Sequence, residues 1–117
     1  MQFKKTVSVD FDGVLHAYTS KWTRADQIHD GPVPGALEAV QQYLRAGYKV
    51  VVHSARAKDP RGLDAIEAWL IEHGFPDLVV VVEKPHAELY IDDRGYQFNG
   101  TFPSVEEIQS FKPWNKR

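Results

Sequence analysis

The sequence predicts an α/β domain with a mainly parallel sheet, and three observations carry that expectation. Short β-branched runs alternate with longer runs of helical period, the pattern of βαβ units. One run, Val50-Val51-Val52, is apolar without alternation, as in strands buried on both faces. Polar, chemically capable residues sit just past the carboxyl ends of the apolar runs, where ligands bind in such sheets.

At 117 residues the chain is sized for one core, so a single domain over 1–117 is expected. The 43% hydrophobic and 26% charged content is that of a soluble globular protein. A formal net charge of −2 argues against a general nucleic-acid or acidic-membrane field. With no cysteine, disulfides, thiolate metal sites and cysteine nucleophiles are excluded together. The N-terminus lacks the apolar core of a signal peptide, and no apolar run nears the roughly 20 residues that span a bilayer. A cytoplasmic protein with no membrane partner is the expectation; oligomeric state is left open.

Phe3 to Val9 reads as the first strand, running into Asp10-Phe11-Asp12-Gly13-Val14-Leu15. Residues 16–33 have neither helical nor strand period and hold turn residues and aromatics, so they predict a loop or irregular hairpin. An eighteen-residue stretch of this kind inside a compact domain points to a functional role.

Pro34-Gly35 opens a helix with Ala36, Leu37, Val40, Tyr43 and Leu44 on one face, stopped at Gly47. Tyr48 to His53 is the second strand and delivers Ser54-Ala55-Arg56. Pro60 to His73 is a second helix carrying Leu63, Ile66, Trp69 and Leu70 and closed by Gly74. Leu78 to Val82 is the third strand and Glu88 to Ile91 the fourth, ending in Asp92-Asp93-Arg94-Gly95. Ser104 with Glu107 three residues later is a capping-box pattern, so a short last helix is expected within Thr101 to Phe111. The tail Lys112 to Arg117 reads as peripheral.

Four carboxylates at one sheet edge, Asp10, Asp12, Asp92 and Asp93, repel one another unless a cation lies between them. An all-oxygen donor set suits Mg2+, which takes one or two carboxylates plus waters and a substrate phosphate. Lys84 beside them adds positive charge and Ser54 a hydroxyl donor, so the pocket fits a phosphoryl group. Carboxylates at i and i+2 across a sharp turn can divide labour, one attacking and one handling the proton.

Asp10-Phe11-Asp12-Gly13-Val14 resembles the first motif of the haloacid dehalogenase-like superfamily, in its phosphatase branch. Ser54, Lys84 and Asp92-Asp93 resemble the second, third and fourth motifs, in order, over roughly residues 6–96. The resemblance implies a three-layer Rossmann-like domain and a phosphohydrolase acting through an aspartyl-phosphate. It implies Asp10 as nucleophile, Asp12 as acid and base, and Ser54 and Lys84 as holders of the transferring phosphoryl oxygens. Mg2+ would sit on Asp10, the Asp12 backbone carbonyl and Asp92, with Asp93 acting through water or by orienting Lys84. Gly13 lets both acids face one phosphorus. An acid at Asp12 speaks against carbon–halogen cleavage. Residues 16–33 and the 29 residues between Ser54 and Lys84 leave no room for a cap domain, so an open site is expected, with Tyr18, Trp22 and Arg24 in reach of substrate.

Ser54-Ala55-Arg56 and Asp92-Asp93-Arg94 also resemble the phosphatase half of polynucleotide kinase-phosphatases. That resemblance makes Arg56 and Arg94 candidate substrate contacts, since the arginine fork bonds two phosphate oxygens. The phosphorylated substrate is then a small molecule or a polynucleotide end. Lys84 precedes Asp92 by only eight positions, too few for a helical crossover between parallel strands, so either the third strand is short and peripheral or the link crosses as extended chain.

Ordinary structural uses compete with these roles: Asp10 and Asp12 as a turn pair, Ser54 as a helix cap, Lys84, Arg56 and Arg94 as surface charges. His16 reads as structural and His53 as core or near-site packing. A catalytically silent phosphate- and metal-binding module is the alternative function. A response-regulator receiver has its acceptor Asp at the end of the third strand, where this chain has Val82-Glu83-Lys84, so the order is wrong.

Overall fold

The computed structural model describes residues 5–114, so the first two expected residues of the opening strand and the end of the tail lie outside it. The elements are β1 (Thr6–Asp10), α1 (Ala36–Arg45), β2 (Lys49–His53), a 3-10 turn (Ala55–Lys58), α2 (Pro60–Glu72), β3 (Val79–Val81), β4 (Leu89–Ile91) and α3 (Val105–Ser110). All strand pairs are parallel, in the order β3-β2-β1-β4. The α/β class and the parallel sheet expected from the sequence are therefore present.

β1 is central, and Val7, Ser8 and Val9 are all buried. Val7 and Val9 pair with Val50 and Val52 and share one face with them. That face carries the core, together with Ala36 and Val40 of α1 and Ile66, Trp69 and Leu70 of α2. Both helices thus cover the same side of the sheet. α2 starts where Asp59 accepts the Arg61 N–H at 2.9 Å and Pro60 occupies the first turn, which needs no donor. The expected box at α3 is formed in both directions by Ser104 and Glu107.

β3 and β4 have three residues each, against expected strands of five and four. Each is an edge strand with one partner, pairing with Val51–His53 of β2 and Val7–Val9 of β1 respectively. The chain passes from β3 to β4 through residues 82–88 with no helix, as the short spacing required. Three strand spacings are roughly 14 Å, and seven extended residues reach over 20 Å. This link carries Lys84.

β2 and β4 leave β1 on opposite sides, so the strand order switches direction at β1. In open α/β sheets the crevice at such a switch is where ligands bind. Residues 16–33 form a loop tied by isolated bridges from His16 to Asp12 and to Pro32. Among the described residues no helix is long and apolar enough to cross a membrane.

Candidate active site

β1 ends in a turn built on one carbonyl. The Phe11 oxygen accepts N–H bonds from Val14, Leu15 and His16 at 3.3, 3.0 and 2.9 Å. The fully buried Phe11 ring anchors the turn, so Asp10 and Asp12, on either side of it, are carried on a fixed base. Gly13 completes the turn at φ 83°, a left-handed conformation that glycine adopts without steric cost. The Asp93 carboxylate lies against its Cα, where a Cβ would stand. Gly13→Ala therefore meets two obstacles, and a loss of about 1–3 kcal/mol in folding free energy by urea titration is expected. Unchanged stability would show that the loop gives way at no cost.

Asp10, Asp92 and Asp93 each bring one oxygen to within 4.8 Å of the others. Burial, then the charges of Asp92 and Asp93, push the Asp10 carboxyl up to about 7. Asp93 is raised by burial and by Asp92. Asp92 is lowered, because the Arg94 N–H at 2.8 Å and Lys84 Nζ at 3.0 Å outweigh its burial. The residues present fit a hard divalent cation: the donors are all oxygen, and two of the three carboxyls are strained by mutual repulsion that such a cation relieves.

Asp12 is handled differently. Its Oδ1 meets His16 Nδ1 at 2.8 Å and its Oδ2 accepts from Arg56 Nε at 2.8 Å. His16 Nε2 accepts the Asp30 backbone N–H at 3.1 Å, so the proton of the neutral ring is on Nδ1 and is donated to Asp12. Burial alone would raise the Asp12 carboxyl, but the His16 hydrogen bond and then Arg56 hold it below the usual carboxylate range. Its side chain thus stands apart from the three-oxygen cluster of Asp10, Asp92 and Asp93.

Ser54 is buried at the end of β2, where its Oγ accepts the Arg56 N–H at 3.2 Å and caps the 3-10 turn. A hydroxyl that accepts still has its proton to donate. Capping and phosphate binding are compatible uses of one Oγ. Lys84, half exposed, reaches Asp92 across the extended link. A cavity of about 280 Å³ is lined by Asp10, Asp12, Tyr18, His53, Ser54, Ala55, Asp92, Asp93 and Arg94. His53 Nδ1 is buried without a hydrogen-bond partner, 3.6 Å from Asp10 Oδ1.

Arg56 is 4% exposed, and the protein itself takes up its guanidinium. Beyond Asp12, Nη1 donates to the carbonyls of Arg24, Ala25 and Gln27 at 3.1, 3.0 and 3.1 Å, and Trp22 covers the group at 4.4 Å. In place of a surface charge, the structure has a buried clamp between the loop and the acid. Arg94 remains exposed at the cavity.

Sequence reasoning did not find the partnership of His16, Arg56 and Asp30 around Asp12. The four-residue step from Asp12 to His16 was visible, but helical spacing has no meaning in a loop. The tail, expected to be peripheral, reaches the site: Trp114 Nε1 donates to the Gly13 carbonyl at 2.7 Å, which brings the last described residue onto the site loop. No family model, curated protein or solved structure matches this chain.

Proposed function

We propose that the chain is a Mg2+-dependent phosphohydrolase of the haloacid dehalogenase-like type, acting on a phosphomonoester through an aspartyl-phosphate. One observation carries the reading: three carboxylate oxygens converge within 4.8 Å at the carboxyl edge of a parallel sheet. A lysine and a buried serine hydroxyl stand beside them. The reading includes a three-layer Rossmann-like arrangement, of which the sheet and the α1/α2 layer supply two. It also includes an open, uncapped site and a cytoplasmic location.

An Asp10 oxygen attacks phosphorus while the bond to the leaving oxygen breaks, and that oxygen takes its proton from Asp12. Asp12, now a carboxylate, takes a proton from water as the water oxygen attacks the aspartyl-phosphate. Asp10 and inorganic phosphate are released. Ser54 and Lys84 hold phosphoryl oxygens through both steps. Mg2+ bound at Asp10, Asp92 and Asp93 would neutralise charge on those oxygens. The His16 and Arg56 contacts keep Asp12 ionised, which suits the second step directly. The first step draws on the dianionic substrate to raise its proton affinity, or on a leaving group stable as an anion. With Arg56 taken up inside the protein, Arg94 is the cation left to meet a larger substrate, whether a small phosphomonoester or a polynucleotide end.

The same ion pairing favours one second reading, a phosphate- and metal-binding module that never runs the acid step. p-Nitrophenyl phosphate hydrolysis separates the two. Turnover with Mg2+ that disappears in EDTA is expected; equal rates in both would overturn the phosphohydrolase. Mg2+-dependent phosphate binding without turnover would favour the module. Mg2+ should also raise the melting temperature, by about 2.7 kcal/mol of stability at a hundredfold excess over its dissociation constant.

A further inference from the structure

Among the described residues Tyr18 alone has positive φ without being glycine, at 54°. For a bulky residue this backbone costs roughly 1–3 kcal/mol and persists only where surroundings impose it. Here they do. The Thr19 and Ser20 N–H groups both bond to Asp30 Oδ2, at 3.0 and 2.8 Å, and Ser20 Oγ donates to Oδ1 at 2.6 Å. Asp30 is itself pinned: its carbonyl accepts from the buried Trp69 indole at 2.9 Å and its N–H donates to His16 Nε2. The loop following Tyr18 is therefore locked to the core through two buried rings.

What this backbone achieves is placement. Tyr18 lines the cavity that holds Asp10, Asp12, Ser54 and the Asp92–Asp93 pair. Its ring lies 5.8 Å from the His16 ring, whose Nδ1 holds Asp12. Tyr18 is thus on the Asp12 side of the phosphoryl site, where the leaving group must lie to exchange a proton with that acid. A tyrosine ring offers a rigid flat surface, and flat rings stack on it in offset or edge geometry.

We propose that Tyr18 is a specificity-determining wall for the leaving group and selects phosphomonoesters whose leaving group is a flat aromatic ring. This rests on the phosphohydrolase reading, so the experiment has two arms. The first compares kcat/KM for phenyl phosphate and glycerol 2-phosphate in the wild type, Tyr18→Phe and Tyr18→Asn. Asparagine tolerates the left-handed backbone and removes the ring, while phenylalanine keeps the ring. Tyr18→Asn is expected to lose about three- to tenfold on phenyl phosphate, mostly in KM, and little on glycerol 2-phosphate. Tyr18→Phe should keep the wild-type ratio of kcat/KM for phenyl phosphate over glycerol 2-phosphate. Equal losses on the two substrates, or none, would overturn the proposal. If the wild type hydrolyses neither, the phosphohydrolase reading has failed and the wall is judged by the second arm. Phenylphosphonate and methylphosphonate are titrated calorimetrically in Mg2+. A preference for phenyl that Tyr18→Asn abolishes supports the wall, and no preference sinks it.

Discussion

Asp10→Asn is expected to abolish turnover and, in EDTA, to stabilise the fold. The amide cannot attack phosphorus, so hydrolysis should fall by a factor on the order of 10^4 or more. The stability gain follows from linkage. Asp10 is raised to about 7 from 3.8, so between those values the folded protein binds a proton that the unfolded chain releases. Stability therefore decreases as pH rises through roughly 4 to 7 and levels off above that. At about 1.4 kcal/mol per unit the ceiling is about 4 kcal/mol at pH 8, and a carboxyl with some solvent contact realises only part of it. Asn removes this slope and the repulsion with Asp92 and Asp93. Urea titrations at pH 5 and 8 in EDTA measure it directly. Mg2+ should flatten the wild-type slope as Asn does, and its affinity should weaken as pH falls through 7. A variant no more stable than the wild type at pH 8 would mean that burial and the neighbouring Asp92 and Asp93 do not strain the Asp10 carboxylate.

Arg56→Met is expected to carry the largest stability loss of any single substitution considered. It leaves the Asp12 carboxylate without its cation and three loop carbonyls without a shared donor. Removing one partner of a buried charge pair costs about 3–5 kcal/mol. The Asp12 carboxyl should rise, since burial is then opposed by His16 alone, and the acidic limb of the pH–rate profile should move upward. Arg56→Lys supplies the control. It keeps a charge near Asp12 but lacks the fork that reaches the carbonyls, so an intermediate loss is expected. A Met variant within about 1 kcal/mol of the wild type would show that water replaces these contacts freely.

Much of the architecture was legible because period and punctuation are local properties. The β-branched Val50-Val51-Val52 run reads as a strand buried on both faces, and Ser104 with Glu107 announced a helix start within four residues. The eight positions between Lys84 and Asp92 ruled out a helical crossover, and the link is indeed extended. Strand ends at the sheet edges were only partly legible. β3 keeps three of the five residues from Leu78 to Val82, while β4 is the apolar Leu89–Ile91 run itself, bounded by Glu88 and Asp92.

For the candidate site the division is similar. Sequence alone placed Asp10, Ser54 and Asp92 at strand ends and so at one edge of the sheet, because parallel pairing brings like ends together. It could not place Arg56, which lies on the chain like a surface residue after a strand. Only the folded loop of residues 16–33, arriving from about thirty positions away, turns that charge inward onto Asp12 and three carbonyls. Nor could it show that Asp12 and Asp10, two residues apart, occupy opposite electrostatic settings. Backbone pattern follows from neighbours in the chain, whereas the charge state of a carboxyl follows from whatever the fold brings within a few ångströms of it.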